Sequence, residues 1–223
     1  MSIEERYKLI EEKISIGELN FDISRIQDTD ALLDELIEKG EDHEDVLDER
    51  IPYWAELWPS AIAMGRYLAE DPDLVQDKTV LEIGCGLGLS GMVAHALGGK
   101  VMLSDYLPAA LELADFNWRK NFPSEPQLLQ LDWREVKAEQ GTDVILAADV
   151  AYEERAFEPL MNAFKVLMKP HSKLILTEPN RQIAHKFLNM LEGSGLKVDK
   201  QKREIHYRNI QTRVNLYVLQ YAF

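Results

Sequence analysis

Val80-Leu81-Glu82-Ile83-Gly84-Cys85-Gly86-Leu87-Gly88 is an apolar run of strand type entering a glycine-rich turn, with the one-sided helical pattern of Leu89–Leu97 directly behind it. Glycine accepts positive φ without a Cβ penalty and lets the backbone pass close to a ligand. The free N–H groups at the start of the following helix suit an anion. A dinucleotide fingerprint needs its third glycine three positions after the second, and that position is Leu89. Here the glycines stand at 84, 86 and 88, and the acid Glu82 lies two positions ahead of the first. A carboxylate there would repel a pyrophosphate, but it suits support of the loop or, through water, an ammonium group. The pattern favours S-adenosylmethionine over NAD.

Outward from this turn, strand-like and helix-like runs alternate. Thr79–Ile83, Lys100–Ser104, Gln127–Leu131, Asp143–Ala147 and Lys173–Thr177 read as strands. Leu89–Leu97, Pro108–Asn121, Arg155–Met168 and Arg181–Leu191 read as amphipathic helices. Such alternation predicts a parallel sheet covered on both faces. Val198–Tyr207 and Thr212–Phe223 read as a terminal hairpin turning at Arg208–Asn209. The expected fold is α/β: a Rossmann-like, doubly wound, three-layer α/β/α domain. Its seven-strand sheet is mostly parallel, with an antiparallel C-terminal strand.

Charge is distributed unevenly over the 223 residues: residues 1–50 hold 17 acids against 6 bases and so carry −11 of the net −14. Asp28–Lys39 reads as a helix capped by Asp28 or Asp30, and Glu41–Arg50 as a charged linker. The expected division is an acidic helical extension over residues 1–50 and a domain over residues 51–223. An acidic extension disfavours nucleic acid as partner and accommodates a basic protein or an amine. One cysteine, Cys85, excludes an internal disulfide and fits a reducing, cytoplasmic setting. No apolar run approaches the roughly 20 residues of a membrane span, and no metal site is expected.

Open parallel sheets bind ligands beyond the carboxyl ends of their strands. Gly84–Gly88, Asp105, Asp132, Asp149 and Glu178 all fall at such ends. Asp105 suits the ribose hydroxyls of either cofactor, and its alternative is a cap for the helix from Pro108. Asp132 suits the adenine amino group. Trp133 suits a ring face, or a surface turn. Trp54 and Tyr53 read as an acceptor rim or as packing.

These residues resemble the seven-strand class I methyltransferases. Two further stretches resemble the family 16 methyltransferases, which include the lysine methyltransferases acting on chaperones and on the electron-transfer flavoprotein β subunit. One is the tryptophan-led Trp58-Pro59-Ser60-Ala61-Ile62-Ala63-Met64-Gly65-Arg66-Tyr67-Leu68. The other, Ala148-Asp149-Val150-Ala151-Tyr152-Glu153, is similar to that group's Asp-x-x-Tyr motif. The resemblance implies S-adenosylmethionine bound by Trp58, Glu82, Gly84, Cys85, Gly86, Gly88, Asp105, Tyr106, Asp132, Trp133 and Ala148. It implies methyl transfer beside Asp149 and Tyr152, to a protein lysine or alternatively to a small-molecule amine; a cofactor-binding module that regulates a partner without catalysis is the other alternative. Packing alone is the competing reading for Trp58 and Tyr152.

Overall fold

A computed structural model describes residues 1–138 and 141–222. Phe223, the expected end of the last strand, lies outside the described residues. The sheet is built from β3 (Thr79–Ile83), β4 (Lys100–Asp105), β5 (Gln127–Gln130), β6 (Thr142–Ala148), β7 (Met168–Glu178), β8 (Leu196–Tyr207) and β9 (Ile210–Tyr221). Their order is β5-β4-β3-β6-β7-β9-β8. β3 pairs in parallel with both β4 and β6, and β9 alone runs antiparallel to its neighbours, β7 and β8. Arg208 (φ 47°) and Asn209 (φ 61°) both take left-handed backbone in the β8–β9 turn, as a tight two-residue hairpin requires.

Alternation along the strands sorts the core into two halves. Val80, Val144 and Leu146 face one side, with α4 (Pro59–Glu70), α5 (Leu89–Ala96) and α6 (Pro108–Asn121). Leu81, Ile83, Ile145 and Ala147 face the other, with α7 (Phe157–Leu167) and α8 (Ala184–Glu192). Three layers result, as expected from runs that are apolar on both faces. The chain leaves β3 toward β4 on one side, while β6 lies on the other, so β3 and β6 flank the topological switch point. A crevice forms there beyond their carboxyl ends.

The helical extension expected over residues 1–50 needs correction. Asp28 does cap α2 (Thr29–Glu38), accepting the Ala31 amide at 3.0 Å. Short helices also form at α1 (Ile3–Arg6) and α3 (Glu44–Leu47). Residues between α1 and α2, however, form an antiparallel hairpin of β1 (Leu9–Ile16) and β2 (Leu19–Ile26). Ile14, Ile16, Phe21, Ile23 and Ile26 are buried in the same core half as α4–α6. Period-2 alternation on either side of the Gly17 turn (φ 58°) accounts for the strands. Asn117 and Asn121 of α6 hold the hairpin by bonds from Ser24 N and Asp22 N at 2.8 and 2.9 Å. Glu11 and Glu18 are exposed, whereas Glu12 shares the face of Ile14 and Ile16 and is paired with Arg25 and Arg208.

No helix among the described residues is long and apolar enough to cross a membrane.

Candidate active site

A cavity of about 360 Å³ occupies the crevice, within the usual size for small-molecule sites. Trp58, Glu82, Gly84, Cys85, Gly86, Asp105, Tyr106, Asp132, Trp133, Ala148, Asp149 and Tyr152 all line it. Gly88 does not. It is the N-cap of α5 at φ 81°, and a Cβ there would meet Leu103 and Ala114, on the side away from the cavity. Its task is to turn the loop into the helix. Glu178 also stays off the cavity wall: it accepts the Arg181 amide at 3.0 Å and a bond from Asn215 Nδ2.

The glycine loop is held from both sides. Gly84 and Gly86 have φ of 63° and 50°. A Cβ on Gly86 would lie 3.3 Å from the Trp54 carbonyl oxygen, so the segment before α4 closes directly over the loop. The Gly86 amide donates to Asp105 Oδ2 at 3.0 Å and the Leu107 amide donates to Asp105 Oδ1 at 3.1 Å. Asp105 is therefore a loop tie and not the cap of α6, which is Leu107. Burial pushes its carboxyl above the usual range, and those amides act against that. Glu82 is 2% exposed and accepts the Gly91 amide at 2.8 Å. Burial pushes its carboxyl up to about 8. Cys85 is buried, and its thiol is likewise pushed up.

At the end of β6, Asp149 adopts φ 57° and its amide donates to the Thr177 carbonyl at 2.8 Å. Its carboxylate is gripped by Arg181, at 3.2 Å from Nε and 2.9 Å from a terminal nitrogen. Burial raises the Asp149 carboxyl and the Arg181 guanidinium opposes that rise. Tyr152 packs edge-on to Tyr53 at 5.1 Å, and Tyr53 packs edge-on to Trp58 at 6.1 Å. The Trp58 indole N–H donates to the Tyr53 carbonyl at 2.8 Å, which fixes both rings at the start of α4. Burial pushes the Tyr152 hydroxyl well above its ordinary range, so it stays a neutral phenol.

The supposed charged linker forms another wall. Asp48, Glu49, Arg50 and Ile51 line the cavity. Asp48 accepts the Tyr106 hydroxyl at 2.6 Å and pairs with Arg134 at 2.6 Å. Arg134 pairs as well with Asp132, and the Arg50 and Arg134 guanidinium groups each lie 4.9 Å from the Tyr106 ring centroid. Sequence reasoning passed over Asp48, Arg50, Arg134 and Arg181. Arg181 had one visible signal, its place three residues after the strand-end acid Glu178. The other three are surface-type charges whose meeting depends on long-range folding.

The sequence profile of the lysine methyltransferase family matches residues 48–194, more than half of the chain. The protein N-lysine methyltransferase METTL21A of Xenopus tropicalis is 33% identical over 144 residues, covering 62% of this chain and 66% of its own. The histone-arginine methyltransferase METTL23 of Rattus norvegicus is 31% identical over 141 residues, covering 58% and 63%. In both, the match spans somewhat under two thirds of the relative's length. The magnesium protoporphyrin IX methyltransferase of Synechocystis PCC 6803, solved with bound S-adenosylmethionine, superposes with a TM-score of 0.57 over 86% of this chain and 97% of its own. At 16% identity that likeness speaks for the fold alone. Fold, glycine loop and sequence profile agree, and the chain belongs to the lysine methyltransferase family.

Proposed function

We propose that this chain is an S-adenosylmethionine-dependent methyltransferase whose acceptor is a side-chain nitrogen of a protein, a lysine amine before an arginine guanidine. One observation carries the reading. The glycine loop with Asp105 and the Asp149–Tyr152 pair open onto a single cavity. Support for a protein acceptor comes from the relatives, one named for lysine and one for arginine. A small-molecule amine is the second reading, favoured by the enclosed aromatic wall of Tyr53, Trp58 and Tyr152. The acidic hairpin and α2 disfavour nucleic acid. The buried single thiol suits the cytoplasm.

The residues fit the cofactor. Asp105 suits the ribose hydroxyls, with lone pairs to spare beyond its two amide bonds. Asp132, although paired with Arg134, keeps acceptor capacity for the adenine amino group. Trp133 offers a ring face, and Tyr106 lines the cavity with Arg50 and Arg134 over its ring. Glu82 and the first turn of α5 suit the ammonium and carboxylate of the amino-acid end. When bound, S-adenosylmethionine supplies an activated methyl: the acceptor's lone pair forms the N–C bond, the S–C pair returns to sulfur, and the product ammonium sheds one proton.

The protein's part is then alignment and exclusion of water. Tyr53, Trp58 and Tyr152 present ring faces and edges to the newly methylated, cationic nitrogen. Asp149 orients the acceptor at the end of β6. Its left-handed backbone turns the carboxylate inward, and such strain is characteristic of functional positions.

Calorimetric titration with S-adenosylmethionine and separately with NAD tests the cofactor, with Asp105→Ala as control. Selective binding that the control weakens is the expected result, and preference for NAD overturns the reading. Labelled methyl transferred to cell extract, followed by acid hydrolysis, then distinguishes the acceptors. Methyl-lysine supports the first choice, methyl-arginine redirects it, and label confined to small molecules favours the second reading.

A further inference from the structure

Resting on the methyl-transfer reading, we propose that Arg181 is a positioning residue that cancels the charge of Asp149, so that the acceptor enters as neutral amine and not as ammonium. Arg181 was not expected at the site and does not line the cavity, yet three separate contacts fix it. Its guanidinium binds both carboxylate oxygens of Asp149. The same guanidinium lies over the Trp58 ring, 5.4 Å from its centroid. Its amide is held by Glu178, itself buried and bonded to Asn215 of β9. A forked guanidinium on a carboxylate is a geometry that a lysine cannot reproduce.

The chemistry gives this arrangement its purpose. A nitrogen can attack the methyl only with its lone pair free, and a free lysine amine with a pKa of about 10.4 is mostly ammonium near pH 7. An unpaired carboxylate beside it would hold the ammonium form more firmly still. Asp149 is the carboxylate at the acceptor end, and Arg181 pre-empts it. The other acids facing this corner already have donors: Asp105 from two backbone amides, Glu178 from Arg181 and Asn215, and Glu153 from Arg155. Of the other titratable groups lining the cavity, Tyr53 and Tyr152 carry phenol rings, Glu49 pairs with Arg155, Glu56 pairs with Arg25 and Arg208, and Glu82 accepts the Gly91 amide. With Arg181 in place the acceptor corner offers orientation without a net negative charge. Asp149 can still accept a hydrogen bond from an N–H, because a carboxylate has about four lone-pair sites.

The test uses n-butylamine as a lysine side-chain probe, titrated by NMR into protein saturated with S-adenosylhomocysteine between pH 7 and 10. For the natural protein, apparent affinity should rise by about tenfold per pH unit, tracking the neutral amine. Arg181→Met should bind the ammonium at pH 7 at least tenfold more tightly than the natural protein and lose the rise with pH. Arg181→Lys, which keeps the charge, should stay close to the natural profile. Identical profiles for the natural protein and Arg181→Met overturn the proposal. Should Arg181→Met fail to fold, Asp149→Asn/Arg181→Met removes both charges. It should restore the natural pH dependence, and a profile favouring ammonium in that variant overturns the proposal as well. The ¹³C carboxyl signal of Asp149, followed against pH in cofactor-free protein, gives a readout without activity. It should titrate at higher pH in Arg181→Met than in the natural protein, and an unchanged titration counts against the proposal. Failure of every protein to bind S-adenosylhomocysteine would strike the methyltransferase reading instead; the butylamine series on cofactor-free protein would still decide the role of Arg181.

Discussion

The Gly91 amide, in the first turn of α5, donates to the buried carboxylate of Glu82 on β3 at 2.8 Å. This bond ties the strand before the glycine loop to the helix after it, so the loop is closed from beneath. A Cβ on Gly91 would run into Leu103 Cδ2 and come within 2.7 Å of Glu82 Oε2. Gly91→Ala should therefore destabilise the fold by about 1–3 kcal/mol through overpacking. Urea unfolding checks this: the midpoint should fall with an unchanged slope.

The same carboxylate predicts a pH dependence. Burial raises Glu82 to about 8, above its unfolded value of 4.5. Between those values the folded chain keeps a proton that the unfolded chain releases, so stability falls as pH rises. The contribution is complete below the unfolded pKa and is lost as pH passes through about 8. Glu82→Gln should flatten this decline relative to the natural protein in melts recorded from pH 5 to 9. An equally steep decline in the variant would show that another group is responsible.

The strand-end residues were readable from sequence because each lies within a few positions of its own strand and needs only the parallel sheet to meet the others. Asp105, Asp132, Asp149 and Tyr152 are of this kind. Gly88 stands off the cavity wall at the start of α5, and in sequence a glycine that turns a helix looks like one that faces a ligand. The β1–β2 hairpin was obscured by acidic composition, although Ile14, Ile16, Phe21 and Ile23 alternate correctly. Asp48 and Arg134 were beyond reach: 86 residues separate them, and no local pattern marks two exposed-type charges as partners.

Asp48 yields a prediction about the cavity wall. It holds the Tyr106 hydroxyl and Arg134, and its carbonyl accepts Arg155 at 2.7 Å. The Arg134 guanidinium keeps its carboxyl well below the usual carboxylate range. That stabilisation is present above the unfolded pKa and is lost as pH falls through the lower folded value. Asp48→Ala should loosen the wall and weaken S-adenosylmethionine on the order of tenfold, about 1.4 kcal/mol. Most of the loss should appear as faster dissociation, measured by stopped flow. Raising salt should weaken binding to the natural protein more than to Asp48→Ala, because the variant has already lost the screened pairs.

Whether residues 1–50 are an appendage or part of the core is decided by Ile16. It is fully buried at the end of β1 and reaches the Gly65 backbone of α4, where an added Cβ would lie 3.5 Å from its Cδ1. Truncating such a side chain costs about 2–5 kcal/mol in a core that relaxes incompletely. Further along the same face of β1, Glu12 pairs with Arg25 of β2 and with Arg208 of the β8–β9 turn. Burial pushes its carboxyl upward, but those guanidinium groups prevail and hold it at about 2. The hairpin is thus joined to both α4 and the last turn of the sheet. Ile16→Ala should therefore shift one cooperative unfolding transition without splitting it, with tryptophan fluorescence and far-UV circular dichroism coinciding. An extension merely attached to a self-sufficient domain would leave the main transition in place and release the N-terminal residues early under limited proteolysis.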